Sequence, residues 1–316
     1  GSKQVFEMIS RNGALADIIA SGARIMESAC GFCIGSGQAP VSKGISVRTN
    51  NRNFEGRSGT KDAGIYLVSP ETAAITALKG VLTDPMTCAA SEFPVVDMPG
   101  QFIIDDSLVI PPSFAGDVMR GPNIGEPPFT EPMADTLKGV IGLKVGDKIT
   151  TDHIMPAGAR LKYRSNIPAY AQYVFEGVDA EFAKRTLEAK TKGTLSAIVG
   201  GLSYGQGSSR EHAAICPMYL GVRLVAAKSF ERIHSANLVN FGILPAAFAN
   251  EADYDAIEQG ATFEISGLKA AIESGAESVV MKVGSKDVKL NLSLSKRQRD
   301  ILLSGGLLNY TKANMK

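Results

Sequence analysis

The 316-residue sequence has no apolar run approaching the ~20 residues that a helix needs to cross a bilayer, and no signal-peptide pattern opens it. A membrane-spanning helix is therefore not expected, and without a sign of secretion a disulfide framework is the lesser expectation. Charge of one sign is also missing. There are 33 Lys and Arg against 32 Asp and Glu, a formal net charge of +1, and the basic residues are scattered. That argues against nucleic acid as a main partner and against a membrane surface. No internal repeat or low-complexity segment is found. Cysteine is scarce: Cys30, Cys33, Cys88 and Cys216, of which only the first two lie close, as a C-x-x-C. Without a sign of secretion, that pair points to a metal or redox role. No Met opens the chain, and a helical pattern begins almost at once after Gly1-Ser2. The expectation is a piece of something longer; the alternative is an added dipeptide.

What is present is ordinary for a globular protein, with 44% hydrophobic and 21% charged residues. The length suggests two domains. Residues 3–28 read as helical, with Val5, Met8, Ile9, Leu15, Ile18, Ile19 and Ile25 at helix-like spacing. Cys30 and Cys33 follow in Ala29–Gly35. Two thiolates two residues apart can bind one metal centre from a single turn, so zinc, a redox dithiol, an iron–sulfur cluster and two inert structural cysteines all stay open. Ile45–Thr49 predicts a short strand. The Gly- and Asn-rich loop 50–59 then offers Arg52 and Arg57, either tied to neighbouring acids or acting as receptors for carboxylate or phosphate. Tyr66–Val68 predicts another strand. Ser69 is the expected N-cap of a helix over Glu71–Lys79 that stops at Gly80.

From Asp84 to Pro132 the character changes. Nine of the 15 prolines fall there and no periodic segment is sustained, which predicts a semi-extended interdomain linker over residues 84–134. Cys88, inside it, has no ligand company. A second domain, residues 135–316, opens with the strand pattern at Gly139. Next comes a turn carrying Asp152 and His153, with a plain Asp N-cap and a structural histidine as competing readings. Strands are expected at Leu195–Gly200, Val222–Ala227 and Leu244–Phe248, a helix from Ser229, alternating segments within 262–292, and a closing helix from about residue 295.

The stretch Tyr204–His212, YGQGSSREH, joins the Leu195–Gly200 strand to a helical run. Glycines there let backbone N–H groups turn toward a ligand, and the helix offers its positive end, so an anion is the natural guest. Ser208 would face it, with Arg210 as a fixed cationic fork. A tight connection without a ligand is the alternative.

Taken in order, ACGFCIG, NNRNFEGRSG, the proline-rich linker, ITTDHIMPAG…KYR, YGQGSSREH and SFERIHSANL resemble the aconitase superfamily of iron–sulfur hydro-lyases, from near residue 1 to about 250. The resemblance implies an α/β chain in two units. Residues 1–83 would be the end of the cluster-binding domain, with its parallel sheet, and residues 135–316 the swivelling domain. It implies that Cys30 and Cys33 supply two of three ligands to a [4Fe–4S] cluster, with the third cysteine in an upstream segment absent here. It further implies Asn51, Arg52, Arg57, Arg164, Ser209 and Arg210 at substrate, Ser208 as base and Asp152 supporting the acid–base network. The expected reaction interconverts citrate and isocitrate through cis-aconitate. The expected partners are a small tricarboxylate and either the missing N-terminal domains or a partner chain. Homoaconitase, isopropylmalate isomerase and a cluster-free RNA-binding relative are the alternatives. The cytoplasm is the expected location, with the mitochondrial matrix as alternative. Alone, this chain is expected to hold no stable cluster and to show little turnover.

Overall fold

The structure, a computed structural model, describes every residue except Cys30, Asn51, Arg52, 94–97, Pro112, Phe114, Ala115, Val118 and Lys316. It divides into two compact units, residues 1–117 and 118–316.

In the first unit the expected helix over residues 3–28 is two helices, α1 (Lys3–Arg11) and α2 (Ala14–Ala20), followed by irregular chain. The break has a local cause. Gly13 sits at φ +87°, outside the right-handed region, and the Asn12 side chain accepts from the Ala14 amide at 3.0 Å. Gly22, at φ +85°, follows the end of the second helix. Strands β1 (Ile45–Arg48) and β2 (Gly64–Leu67) form the expected parallel pair. Helix α3 (Pro70–Lys79) has the expected ends, with the Ser69 side chain accepting from the Thr72 amide and Gly80 left-handed at φ +73°. Among the described residues of this unit, Ile75 is the one buried apolar side chain.

The second unit is built on β3 (Leu137–Lys144), α4 (Thr151–Ile154), α5 (Ile167–Ala171), α6 (Phe182–Thr191), β4 (Leu195–Gly200), α7 (His212–Tyr219), β5 (Val222–Ala227), α8 (Arg232–Asn240), β6 (Leu244–Phe248), β7 (Thr262–Ile265), α9 (Leu268–Ser274), β8 (Ser278–Val283), β9 (Lys286–Asn291), α10 (Lys296–Leu303) and α11 (Leu307–Asn314). The fold is mixed α/β, and its strands close into a barrel in the order β3-β4-β5-β6-β9-β8-β7, a closure not anticipated from the sequence. The β3-to-β6 side is parallel, through helical crossovers, while the remaining pairings are antiparallel. Strand β5 is buried throughout and β4 from Ser196 onward, because alternate residues face two cores. Ala197, Val199, Leu224 and Ala226 pack with Met281 and Leu290 of the antiparallel side; Ile198, Val225 and Ala227 pack with Tyr170, Phe175 and Phe182. Gly139 permits the closest strand approach, since a Cβ there would lie 2.1 Å from the Leu195 carbonyl oxygen.

Residues 130–133 are held on this unit. Asn309 donates to the Thr130 carbonyl (2.7 Å), the buried Arg223 donates to that of Glu131 (3.0 Å), and the Met133 amide donates to that of Leu303 (3.2 Å). Helix α8 starts at Arg232, later than the expected Ser229. The reason is that Phe230 is drawn into an extended bridge with Tyr204, leaving Glu231 as N-cap.

Candidate functional site

The parallel strands β3, β4 and β5 deliver three connections to the same edge of the barrel, and backbone hydrogen bonds lace them together. The connection after β4 runs between the other two. Leu202 donates to the Asp147 carboxylate (2.7 Å), Ser203 to the Ser229 hydroxyl (2.8 Å) and Tyr204 to the Ser229 carbonyl (2.9 Å). The amides of Gly205 and Gln206 then share the Ile149 carbonyl at 2.8 and 3.0 Å, and the Thr151 amide returns a bond to the Gln206 carbonyl at 2.8 Å. Gly205 is required here twice over. Its φ is +85°, and a Cβ would lie 2.2 Å from the His234 ring. Gly207 is also left-handed, at φ +101°.

Residues 150–154 form one helical turn rather than a plain turn, and the N-cap is Thr150, not Asp152. Thr150 Oγ1 accepts from the His153 amide, and His153 Nδ1 accepts from the Thr150 amide, both at 3.1 Å. His153 therefore has the structural duty weighed for it, and Asp152 is released from capping. Thr151 Oγ1 donates to the Ser208 carbonyl at 2.8 Å. Arg210 donates to Asp152 through both terminal nitrogens, at 2.5 and 2.9 Å, and reaches the Met155 carbonyl at 3.3 Å. Asp152, Ser208, Ser209 and Arg210 are thus gathered on one rigid edge. Ser208 and Arg210 are half-buried; Ser209 and Asp152 are exposed.

The expected helix after the loop begins at His212, and its first amides are already engaged. Ala213 donates to the Arg210 carbonyl (3.1 Å) and Ala214 to that of Glu211 (2.8 Å). Those two amides are therefore not free to receive an anion, as the helix end was expected to. The same helix fixes Arg164, which caps a 3₁₀ segment over Gly158–Tyr163. His212 Nε2 lies 2.9 Å from the Arg164 carbonyl oxygen, so His212 Nε2 carries the proton and donates. Its ring meets Tyr170 edge-on at 5.2 Å. The Arg164 side chain itself is exposed. Arg160, beside it, forks onto Glu176 at 3.1 and 2.7 Å over the Tyr173 ring, which steadies the segment. Sequence reasoning passed over His212 in this role, although it ends the YGQGSSREH motif. It gave no role either to His234, which lies beneath Gly205 in the SFERIHSANL segment.

In the first unit, Cys33 lies in a 3₁₀ turn (Phe32–Ile34), and Arg57 donates to its sulfur at 3.4 Å. Gly35, at φ +80°, lets the turn close against the Ser58 carbonyl, where a Cβ would stand 2.5 Å away. Arg48, buried in β1, donates to the Phe32 carbonyl at 2.7 Å and holds the turn to the sheet. The loop that carries Arg57 is tied to β2 by Asn53, which donates to the Ile65 carbonyl at 3.0 Å. The structure thus brings Cys33 and Arg57 together. Cys30, Asn51 and Arg52 lie outside the described residues. Among the described residues no three His, Cys, Asp or Glu side chains converge as a metal cradle. Of the C-x-x-C, Cys33 with Arg57 at its sulfur is what the described residues offer a cluster.

Residues 1–80 match the aconitase family (aconitate hydratase) and residues 150–251 match the aconitase C-terminal domain. The chain belongs to the aconitase superfamily. It is 32% identical, over 98% of its length, to a putative mitochondrial aconitate hydratase of Aspergillus fumigatus, and covers 45% of that protein. It is 29% identical, again over 98% of its length, to the mitochondrial homocitrate dehydratase of Saccharomyces cerevisiae, covering 46% of it. The chain thus spans about half the length of these curated relatives. A 3-isopropylmalate dehydratase from Methanocaldococcus jannaschii overlays on 56% of this chain and 94% of its own, with 33% identity and a TM-score of 0.46. Among the described residues, no helix is long and apolar enough to cross a membrane.

Proposed function

We propose that this chain carries the proton-transfer half of an aconitase-type hydro-lyase acting on a small tricarboxylate, with citrate and isocitrate interconverted through cis-aconitate. The observation that supports this reading most is the junction of the Asp152 turn with the Ser208 loop. It collects a hydroxyl, a carboxylate and a guanidinium on one edge of the barrel.

In this reading Ser208 Oγ takes the proton from the carbon beside a substrate carboxylate and returns it on rehydration. A serine oxygen becomes basic enough only where nearby N–H groups and positive charge hold its anion, a task assigned to the Gly207 turn and Arg210. Arg210 and Arg164 receive substrate carboxylates from the second unit, and Asn51, Arg52 and Arg57 from the first; Ser209 assists at the substrate. Each charge-assisted contact contributes about 1.5–3 kcal/mol. Asp152 supports the network through Arg210. Cys30 and Cys33 would be two thiolates of a [4Fe–4S] cluster whose third ligand comes from outside this chain. When bound, the cluster supplies a Lewis-acidic iron for the substrate hydroxyl. Residues 1–83 are proposed as the end of the cluster-binding domain, 84–134 as the linker and 135–316 as the swivelling domain.

The homocitrate dehydratase among the relatives makes homocitrate the second candidate substrate. The relatives' mitochondrial names lend no support to the cytoplasmic expectation and favour the matrix, which subcellular fractionation tests.

The deciding experiment completes the protein with the segments that close the cluster site, reconstitutes it with iron and sulfide, and follows cis-aconitate by absorbance. Ser208→Ala is expected to lower turnover by at least about 100-fold with unchanged melting. Arg164→Leu is expected to lose citrate turnover while sparing isopropylmalate. This chain alone, given iron and sulfide, is expected to stay inactive. Normal turnover by it would refute the incomplete-ligand reading, and an active Ser208→Ala would refute the base assignment.

A further inference from the structure

Both terminal nitrogens of Arg210 are already occupied by a carboxylate, and that carboxylate is the protein's own. Asp152 presents its two oxygens to them at 2.5 and 2.9 Å, in the parallel, two-point geometry by which a guanidinium takes a free carboxylate ligand. Asp152 is not buried structure in disguise. Its side chain is 56% exposed, against 20% for Arg210. Nor is it spent on capping, which Thr150 performs. The guanidinium, in contrast, also reaches the Met155 carbonyl at 3.3 Å, through the Nη1 that meets Asp152, on a loop laced to β3 and β5. Arg210 is thus the enclosed partner and Asp152 the solvent-facing one, with two side-chain torsions by which it could turn away.

From this arrangement we infer that Asp152 is a specificity-determining residue that works as a resident stand-in for substrate carboxylate, occupying the Arg210 fork until an incoming carboxylate displaces it. The inference rests on the reading of Arg210 as a substrate receptor and deepens it. Exchange of one carboxylate for another leaves the pair's charge and hydrogen-bond count unchanged, so the fork is never left unpaired. It also sets a threshold. A ligand with one carboxylate gains nothing over Asp152, which is tethered beside the fork at high effective concentration. A ligand with several carboxylates, held elsewhere as well, can win the exchange. Small monoanions are thereby excluded without a steric gate.

The test uses the full chain and tricarballylate, an unreactive tricarboxylate, with acetate for comparison. Binding is read from the arginine side-chain ¹⁵N resonances and from the ¹³Cγ resonance of Asp152. In the parent protein, tricarballylate is expected to shift both the Arg210 and the Asp152 signals, and acetate neither. Asp152→Asn keeps the shape and removes the charge; it is expected to bind tricarballylate about fivefold more tightly and to begin binding acetate. Glu211→Gln, which removes a neighbouring exposed charge, controls for general field effects and is expected to change affinity less than twofold. Equal or weaker binding by Asp152→Asn, or an Asp152 signal that stays put while Arg210 binds, overturns the exchange and leaves the tricarboxylate reading intact. Failure of every variant to bind tricarballylate overturns both. Should Asp152→Asn melt early, the Asp152 resonance in the parent protein decides alone.

Discussion

Gly205 and His234 meet where the Ser208 loop packs on the interior. A methyl group at residue 205 would face both the left-handed backbone and the imidazole 2.2 Å away. Gly205→Ala should therefore destabilise the second unit by about 3 kcal/mol, measured by urea denaturation. His234 is 2% exposed, and both ring nitrogens lie buried without a hydrogen-bond partner among the described residues. Burial pushes its pKa down to about 4, because the charged ring would have no water around it. Unfolded, the same histidine titrates near 6.5. Above that pH both states are neutral and the group adds no pH dependence. As the pH falls from about 6.5 toward 4 the unfolded chain binds a proton that the folded one refuses, and stability drops by up to about 3 kcal/mol. Thermal melts across this window should show the loss, and His234→Leu should flatten it.

At the scale of elements, the one-turn helix α4 holds the site to the barrel. Its capping box is reciprocal, with Thr150 and His153 each satisfying the other's amide. Thr150→Ala should cost about 1 kcal/mol, and it should loosen Asp152 from Arg210 because both follow from the same turn. His153→Gln keeps the box, since a glutamine at the third helical position can accept the same bond. A rise in melting temperature on restoring Gln after His153→Ala would confirm that this histidine caps rather than reacts. The expected strands of the second unit appear where alternation or unbroken apolar runs marked them, from Leu137 to Asn291. The helix over residues 3–28 did not hold, because apolar spacing continues through Gly13 while the backbone does not. Periodicity reports which residues want burial and is blind to a single left-handed residue.

For the whole molecule, the two units differ in what stabilises them. The second has two extensive cores on opposite faces of its parallel strands, whereas the first, among its described residues, buries only Ile75 of its apolar side chains. Residues 118–316 made alone should melt cooperatively within a few degrees of the parent chain. Residues 1–117 alone should show no cooperative transition by calorimetry, because a unit without a core has little to offset chain entropy.

By itself the sequence determined the chemistry on offer: a C-x-x-C, arginine-bearing loops and a Gly-Ser-Ser-Arg junction in an order that marks the superfamily, together with most strand positions. These are legible because residue type and short-range spacing carry them. Only the tertiary structure decided that the strands close into a barrel, that Thr150 rather than Asp152 caps its turn, and that Asp152 occupies Arg210 across 58 residues of chain. Pairings of that kind depend on where strand ends come together in space, and no local pattern encodes that.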